Sequence, residues 1–275
     1  MKQDNTFEIL NAFTVDLEDW FCVGNMENVF PPSIWHEQEL RIERPVEHLL
    51  ELLKRHGVRA TFFILGWIAE RCPDTVRKIF DAGHEIGLHG YEHKRITLMD
   101  RNMFENDLRR AFDAVSKIIP REAVVGYRAP SFSVVKSTAW VLESIASFGL
   151  KYDSSIVPFS GHPDYGWNEV PNTIHHLPQG LIEVPITPCF GGGYFRLFPS
   201  ALSGYIAKYA NRCGRPAIFY IHPWELDPEQ PRIELPRIKY FRHYVNLNKT
   251  KSRLEWLLSK FRFGPIGEVL SANGF

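Results

Sequence analysis

Short apolar runs rich in β-branched and aromatic residues alternate along this chain with segments whose apolar positions recur at helical spacing. Most of the runs lead into a polar residue. The first, Phe7 to Val15, leads into Asp16. It is followed by Arg59 to Leu65, by His84 to Leu88 leading into His89, and by Val124 to Tyr127 leading into Arg128. Leu150 to Tyr152 leads into Asp153, Leu181 to Ile186 follows, and Ala217 to Ile221 leads into His222. Between them, Val46, Leu49, Leu50 and Leu53 share one face of a helix over Val46 to His56, with Gly57 as its stop. Pro73 and Asp74 open a second helix that runs to Ala82 and Gly83. Asp100 to Ile119 is a long third, closed by Pro120. Ser137 or Thr138 caps a fourth that ends near Gly149, and Ser200 to Cys213 and Ser252 to Phe261 complete the set.

Strands alternating with helices predict parallel strands joined by crossovers, an α/β architecture. Seven such units predict a closed or nearly closed barrel in a single domain over residues 1–275. In such barrels chemistry gathers at the C-terminal ends of the strands. An Asp, a His, an Arg, an Asp and a His stand at five of these seven ends, which marks one site; polar residues meeting solvent at strand ends are the plain alternative. Two long loops, Trp20 to Arg44 and Ser154 to Gly180, interrupt the pattern. Their Trp20, Phe21, Trp35, Tyr165 and Trp167 either stack on sugar rings or pack on the rim.

Composition narrows the partners. Lys plus Arg equals Asp plus Glu at 32 each, so no bulk charge points to nucleic acid. Hydrophobic residues at 44% and charged residues at 23% are ordinary for a globular enzyme. Cys22, Cys72, Cys189 and Cys213 are widely spaced and read as plain thiols. Met1 to Glu8 is polar and no run reaches the length of a membrane span, so the chain reads as cytoplasmic. Peripheral membrane contact through an amphipathic helix at Trp256 to Phe263 stays open beside the simpler reading of a helix packed on the barrel.

Five constellations carry chemistry. In His89-Gly-Tyr-Glu-His93, two imidazoles four residues apart meet on one face if the segment turns helically. With a carboxylate they would make an open three-ligand metal site. In Asp16-Leu-Glu-Asp19, one carboxylate can ligate a metal while another takes a proton from bound water. Arg128-Ala-Pro130 offers a guanidinium on a stiffened turn. His222, in Tyr220-Ile-His222-Pro-Trp-Glu225, can protonate a leaving amine. Asp153, in Tyr152-Asp-Ser-Ser155, can pair with Arg128 or orient a histidine. Gly191-Gly-Gly-Tyr-Phe195 lacks the spacing of a phosphate loop and reads as a flexible or close-approach turn near substrate.

In this order, over residues 12 to 225, the motifs resemble the NodB-type polysaccharide deacetylase family of carbohydrate esterases. The wording of Thr14 to Trp20, Gly191 to Phe195 and His222 to Glu225 resembles the branch found in bacterial exopolysaccharide gene clusters. The resemblance implies a distorted (β/α)7 barrel with a C-terminal extension over 226–275. It implies removal of N-acetyl groups from amino sugars of a polysaccharide, oligosaccharide or lipid-linked glycan. A divalent metal, zinc first, would be held by His89, His93 and an aspartate, with Asp16 as base, His222 as acid and Arg128 orienting the base. This chain departs from the family's adjacent aspartate pair, because Leu17 follows Asp16. The carboxylate ligand is then Asp19, with Glu18 as the alternative. Hydrolysis of another C–N bond, as in a ureide, and an inactive sugar-binding barrel are the competing readings. Oligomeric state is not legible.

Overall fold

The computed structural model describes residues 9–159 and 165–275. The polar stretch Met1 to Glu8, which includes the start of the first expected strand, and residues 160–164 of the second long loop lie outside the described residues. By internal packing the chain forms two compact units, Met1–Ala60 with Cys189–Phe275, and Thr61–Pro188.

The first unit opens with β1 (Asn11–Leu17), in which every residue is buried. A strand covered on both faces reads as a continuous apolar run, which is why the sequence signal is strong here. Asp16 therefore sits inside the strand, one residue before its end. A loop with a 3₁₀ turn at Pro32–Glu37 leads to α1 (Glu43–Arg55), and Gly57 closes it with a left-handed φ of +64°. The helix starts three residues earlier than its apolar stripe suggests, because Pro45 falls in the first turn, where no backbone donor is needed.

The second unit contains β2 (Thr61–Ile64), α2 (Gly66–Arg71), α3 (Pro73–Asp81), β3 (Glu85–Leu88), α4 (Arg101–Ser116), β4 (Val124–Tyr127), α5 (Val141–Ser147), β5 (Tyr152–Asp153), β6 (His175–His176) and β7 (Ile182–Glu183). Their strands run in the order β6-β7-β5-β4-β3-β2, parallel except for the antiparallel β6–β7 pair. Asp100 caps α4 by accepting the Met103 N–H at 2.8 Å. The helix α2 escapes periodicity because it has six residues. It packs so tightly on α4 that a Cβ at Gly66 would lie 2.7 Å from the Ala111 Cα. Thr138 belongs to a 3₁₀ turn, Lys136–Thr138, and accepts the Val135 N–H there. The N-cap of α5 is Trp140, so neither Ser137 nor Thr138 caps the helix itself.

The first unit resumes with α6 (Gly192–Leu197), α7 (Ser200–Arg212), β8 (Ile218–Ile221), α8 (Arg237–Tyr244), α9 (Thr250–Lys260), β9 (Phe263–Gly264) and α10 (Ile266–Ala272). β1 lies between β8 and β9 and is parallel to both, with Phe13 beside Phe219 and Asn11 beside Phe263. Residues beyond 226 thus supply a neighbour of the first strand. The buried rings of Phe13, Phe190, Phe195, Phe219 and Phe263 cluster around this strand trio. Burial of each such side chain stabilises the fold by about 1.5–3 kcal/mol. Asn11 is buried among them and satisfied: its Oδ1 accepts from Asn211 Nδ2 at 2.7 Å and from the Ala217 N–H at 2.8 Å. The helix α9 is packed, not free for a membrane. Leu254, Leu257 and Leu258 are buried, and Trp256 lies so close over Gly204 that a Cβ there would meet its ring at 2.7 Å.

Gly126 in β4 faces the ring of Tyr152, and a Cβ added to it would fall 2.2 Å from a ring carbon. Both lie in hydrogen-bonded register, so neither backbone can retreat cheaply. Gly126→Ala is expected to lower the unfolding free energy by about 1–3 kcal/mol, read from the urea midpoint.

Candidate functional site

The first unit holds an acid–base cluster at the ends of β1 and β8. Asp16, Glu18 and Asp19 are all buried. His222 follows β8 and caps the 3₁₀ turn Pro223–Leu226. Its Nε2 lies 3.1 Å from Glu18 Oε1 and 3.9 Å from Asp16 Oδ2. Its Nδ1 donates to Glu225 Oε1 at 2.7 Å, and the same oxygen accepts the His222 backbone N–H at 3.1 Å. Those two bonds fix the ring's plane and direct Nε2 towards the carboxylates. Glu225 is fully enclosed and its other oxygen is held by Arg196 Nε. Arg196 is itself anchored, donating to the carbonyls of His243, Val245 and Arg242 at 2.8–2.9 Å. Trp224 stacks between the rings of His222 and His243.

The electrostatics follow from burial. Loss of water raises the Glu18 carboxyl to about 8 against the pull of His222. Burial works against a charged His222, but Glu18, Glu225 and Asp16 outweigh it and raise the imidazole to about 9. Burial would raise Glu225 too, yet Arg196 and His222 hold it down at about 2. An ionised Glu225 beneath a protonated imidazole is the arrangement a proton donor needs.

Asp19 points elsewhere. Its carboxylate accepts the N–H groups of Trp20 at 2.7 Å, Arg41 at 2.7 Å and Ile42 at 3.1 Å, tying the two ends of the first long loop together. Inside that loop Trp20, Phe21, Phe30 and Trp35 pack edge to face, and the packing reading of Trp20, Phe21 and Trp35 is the one observed.

The second unit holds the histidine pair. His89 follows β3 and its ring lies 5.3 Å from that of His93. The segment is not helical, contrary to expectation. Gly90 and His93 take φ of +72° and +52°, and this tight turn, not helical spacing, brings the rings together. Three anchors hold it. The Gly66 and Trp67 N–H groups at the start of α2 donate to the Gly90 and Tyr91 carbonyls, and Asp107 of α4 accepts the Tyr91 N–H at 2.9 Å. Tyr91 Oη donates to Glu70 at 2.6 Å. His89 Nδ1 donates to the Arg128 carbonyl at 2.9 Å, so Nδ1 carries the proton and Nε2 is the basic nitrogen of the ring.

Arg128 is fully buried, not a surface residue. Its Nε donates to the Ser154 carbonyl at 3.0 Å, Nη2 donates to Ser154 Oγ at 2.9 Å, and the guanidinium lies over Phe63. Asp153 is enclosed beside it, accepting the Ser155 hydroxyl at 2.7 Å and sharing a hydrogen bond with Glu183. Burial raises both carboxyls, and a bond between two of them requires a proton on one. Asp153 is thus enclosed, bonded to Ser155 and Glu183 and close enough to Arg128 to feel its charge.

The Gly-rich run is a close-approach turn, as read, but towards Tyr220: a Cβ at Gly191 would meet the Tyr220 carbonyl oxygen at 2.3 Å, and α6 starts at once after it. Glu225 and Arg196 carry no role in the sequence reading. The only signal was the Glu three residues after His222, the spacing of a capping box.

Residues 42–152 match the family described as polysaccharide deacetylase, and residues 154–271 match a domain of unknown function, DUF3473. A peptidoglycan deacetylase of Helicobacter pylori is 30% identical over 196 residues, covering 65% of this chain and 65% of that protein. A peptidoglycan-N-acetylglucosamine deacetylase of Bacillus cereus is 34% identical over 84 residues, 30% of this chain and 28% of that protein. The chain spans less than two thirds of the length of either relative. The crystal structure of a Mycobacterium smegmatis protein assigned as a polysaccharide deacetylase has a TM-score of 0.65 at 18% identity, covering 96% of this chain and 90% of that one. At that identity the likeness establishes a shared α/β fold.

Removing the Asp19 carboxylate would orphan three backbone donors, two of them buried and one part-buried. Asp19→Ala is expected to lower the unfolding free energy by about 2–4 kcal/mol in chemical denaturation.

Proposed function

From a chain whose residues 42–152 match the polysaccharide deacetylase family, we propose hydrolysis of the N-acetyl groups of amino sugars in a glycan. The observation that carries the reading is His222, with Nδ1 on an ionised Glu225 and Nε2 facing Asp16 and Glu18. The acceptor is an N-acetylated polysaccharide, oligosaccharide or lipid-linked glycan. The wording of Thr14 to Trp20 and His222 to Glu225 supports an exopolysaccharide among these.

The donors fit a divalent ion. His89 has Nε2 as its basic nitrogen, His93 stands beside it, and two imidazoles with one carboxylate form an open site of the kind zinc takes. Glu18 is the carboxylate we assign, in preference to Asp19. Asp19 is committed to three backbone N–H groups, whereas Glu18 lies in the His222 cluster with its carboxyl raised by burial, a penalty a bound cation relieves. A divalent ion held there supplies a Lewis acid for the acetamide carbonyl and a lowered pKa for the attacking water.

The chain's own groups do the rest. Asp16 takes the proton of the water as its oxygen bonds the carbonyl carbon. Arg128, locked by Ser154, is assigned to orient that base. His222 gives its Nε2 proton to the sugar nitrogen as the C–N bond breaks, releasing acetate and the free amine. Each of the two proton transfers is worth about 10²–10⁴ in rate.

Acetate release from N-acetylglucosamine oligomers is expected to need added zinc or cobalt and to stop with chelator. Asp16→Asn should cut kcat by about 10²–10⁴ while bound metal is retained, and Glu18→Gln should lose the metal. Glycan binding without acetate release in the wild type would favour the inactive barrel.

Glu225 acts through His222 as a positioning residue. Its carboxylate raises the imidazole, so Glu225→Gln is expected to lower that pKa and to move the alkaline limb of kcat/KM down by about one pH unit. An unmoved limb would remove Glu225 from the proton donor.

A further inference from the structure

Between His89 and His93 the backbone leaves β3 and reverses through two left-handed residues, Gly90 at φ +72° and His93 at φ +52°. A left-handed histidine is costly and persists only where its surroundings over-determine it. His89 is held at its own end. Its N–H donates to the Ile64 carbonyl at 2.9 Å and its Nδ1 to the Arg128 carbonyl at 2.9 Å. His93 stands at the far end of the turn. Its place relative to His89 depends on how the peptides between them are held.

One carboxylate holds them. Asp107, on α4, accepts the Tyr91 N–H through Oδ2 at 2.9 Å and the Glu92 N–H as well. Successive N–H groups of a chain turning through left-handed residues form a concavity that suits an anion, and Asp107 fills it. The fit is close: a Cβ at Gly90 would lie 3.0 Å from Asp107 Oδ2 and 3.4 Å from Pro130 on the other side. One turn further along α4, the Arg110 guanidinium lies 3.7 Å from the centre of the Tyr91 ring and pairs with Glu92 at 3.5 Å. Backbone bonds to Asp107 and side-chain contacts with Arg110 thus grip the same two residues.

We propose that Asp107, helped by Arg110, is a positioning residue for the metal: it fixes His93 opposite His89 so that both imidazoles reach one ion. The proposal rests on the reading of these two histidines as metal ligands. It adds a residue outside the ligand set on which affinity depends. Loss of a group that orients metal ligands typically costs about 10–100-fold in affinity. Such groups usually bond the imidazole itself, whereas Asp107 acts through the backbone. A full negative charge suits the task, because two N–H donors face the carboxylate. A carboxamide of the same size has one acceptor oxygen and turns its own N–H groups towards a donor.

The test is titration of the full chain with cobalt, followed by visible absorption and by competition with a chromogenic chelator. It is read without substrate, so its outcome is separate from that of the acetate assay. Asp107→Asn should weaken binding by about 10–100-fold and alter the visible band, while circular dichroism and the melt of the metal-free chain show it folded. Gly126→Ala acts at Tyr152 and lowers stability without touching the turn, so it should keep the wild-type affinity and band. Arg110→Ala, at an exposed position, should weaken binding in the same direction and by less. If Asp107→Asn does not fold, Arg110→Ala decides, and wild-type affinity in that variant overturns the proposal. Equal affinity of a folded Asp107→Asn chain and the wild type would also overturn it. So would equal weakening by Gly126→Ala, since stability alone would then set the affinity. A wild type that takes up no cobalt would overturn the metal reading, and the proposal with it.

Discussion

An ionised carboxylate withdrawn from water must be surrounded by donors or by charge, and Glu225 is where this chain meets that demand most completely. One oxygen takes the two N–H groups of His222 and the other takes Arg196. Arg196 in turn needs acceptors, and the carbonyls at the end of α8 provide them. Because each link leaves a buried charge if the next is broken, the chain of contacts is all or nothing. It fixes the histidine ring, the turn after β8, the short helix α6 and the end of α8 together. Residues that match only a domain of unknown function thus hold His222 in place.

The second unit solves the same problem another way. Asp153 and Glu183 are adjacent across paired strands with no cation bonded between them, and they share a proton instead. The charge that remains is answered by Ser155 and, through space, by Arg128. Neutralising one carboxyl costs less here than importing a counter-ion. The guanidinium of Arg128 beside them is held by Ser154.

What could be read from sequence followed the same physics. Val124–Tyr127 and Ile218–Ile221 were legible because largely buried strands leave near-continuous apolar runs. His89, Arg128 and His222 were legible because each directly follows such a strand. The two-residue strands His175–His176 and Phe263–Gly264 and the short helices α2, α6 and α8 were not, since periodicity needs more turns than they have. The histidine pair was expected on a helix because spacing of four is what a helix brings together. A glycine and a left-handed histidine achieve the same meeting without one. Asp19 and Glu18 were inseparable by sequence, as adjacent residues of like charge differ only in where the backbone turns. That turn lies at the end of β1, where Asp19 is spent on closing a loop.

The stack of His222, Trp224 and His243 carries a consequence for how the site can move. His243 is kept neutral, lowered to about 3 by burial and the nearby Arg196, so the ring pressed on Trp224 brings no charge near His222. Its fixed partner Gln230 and the planar contact with Trp224 leave it little freedom to turn. A displacement of α8 would have to slide His243 over the indole and pull three carbonyls from Arg196 at once. The helix and the imidazole must then move as one body or not at all.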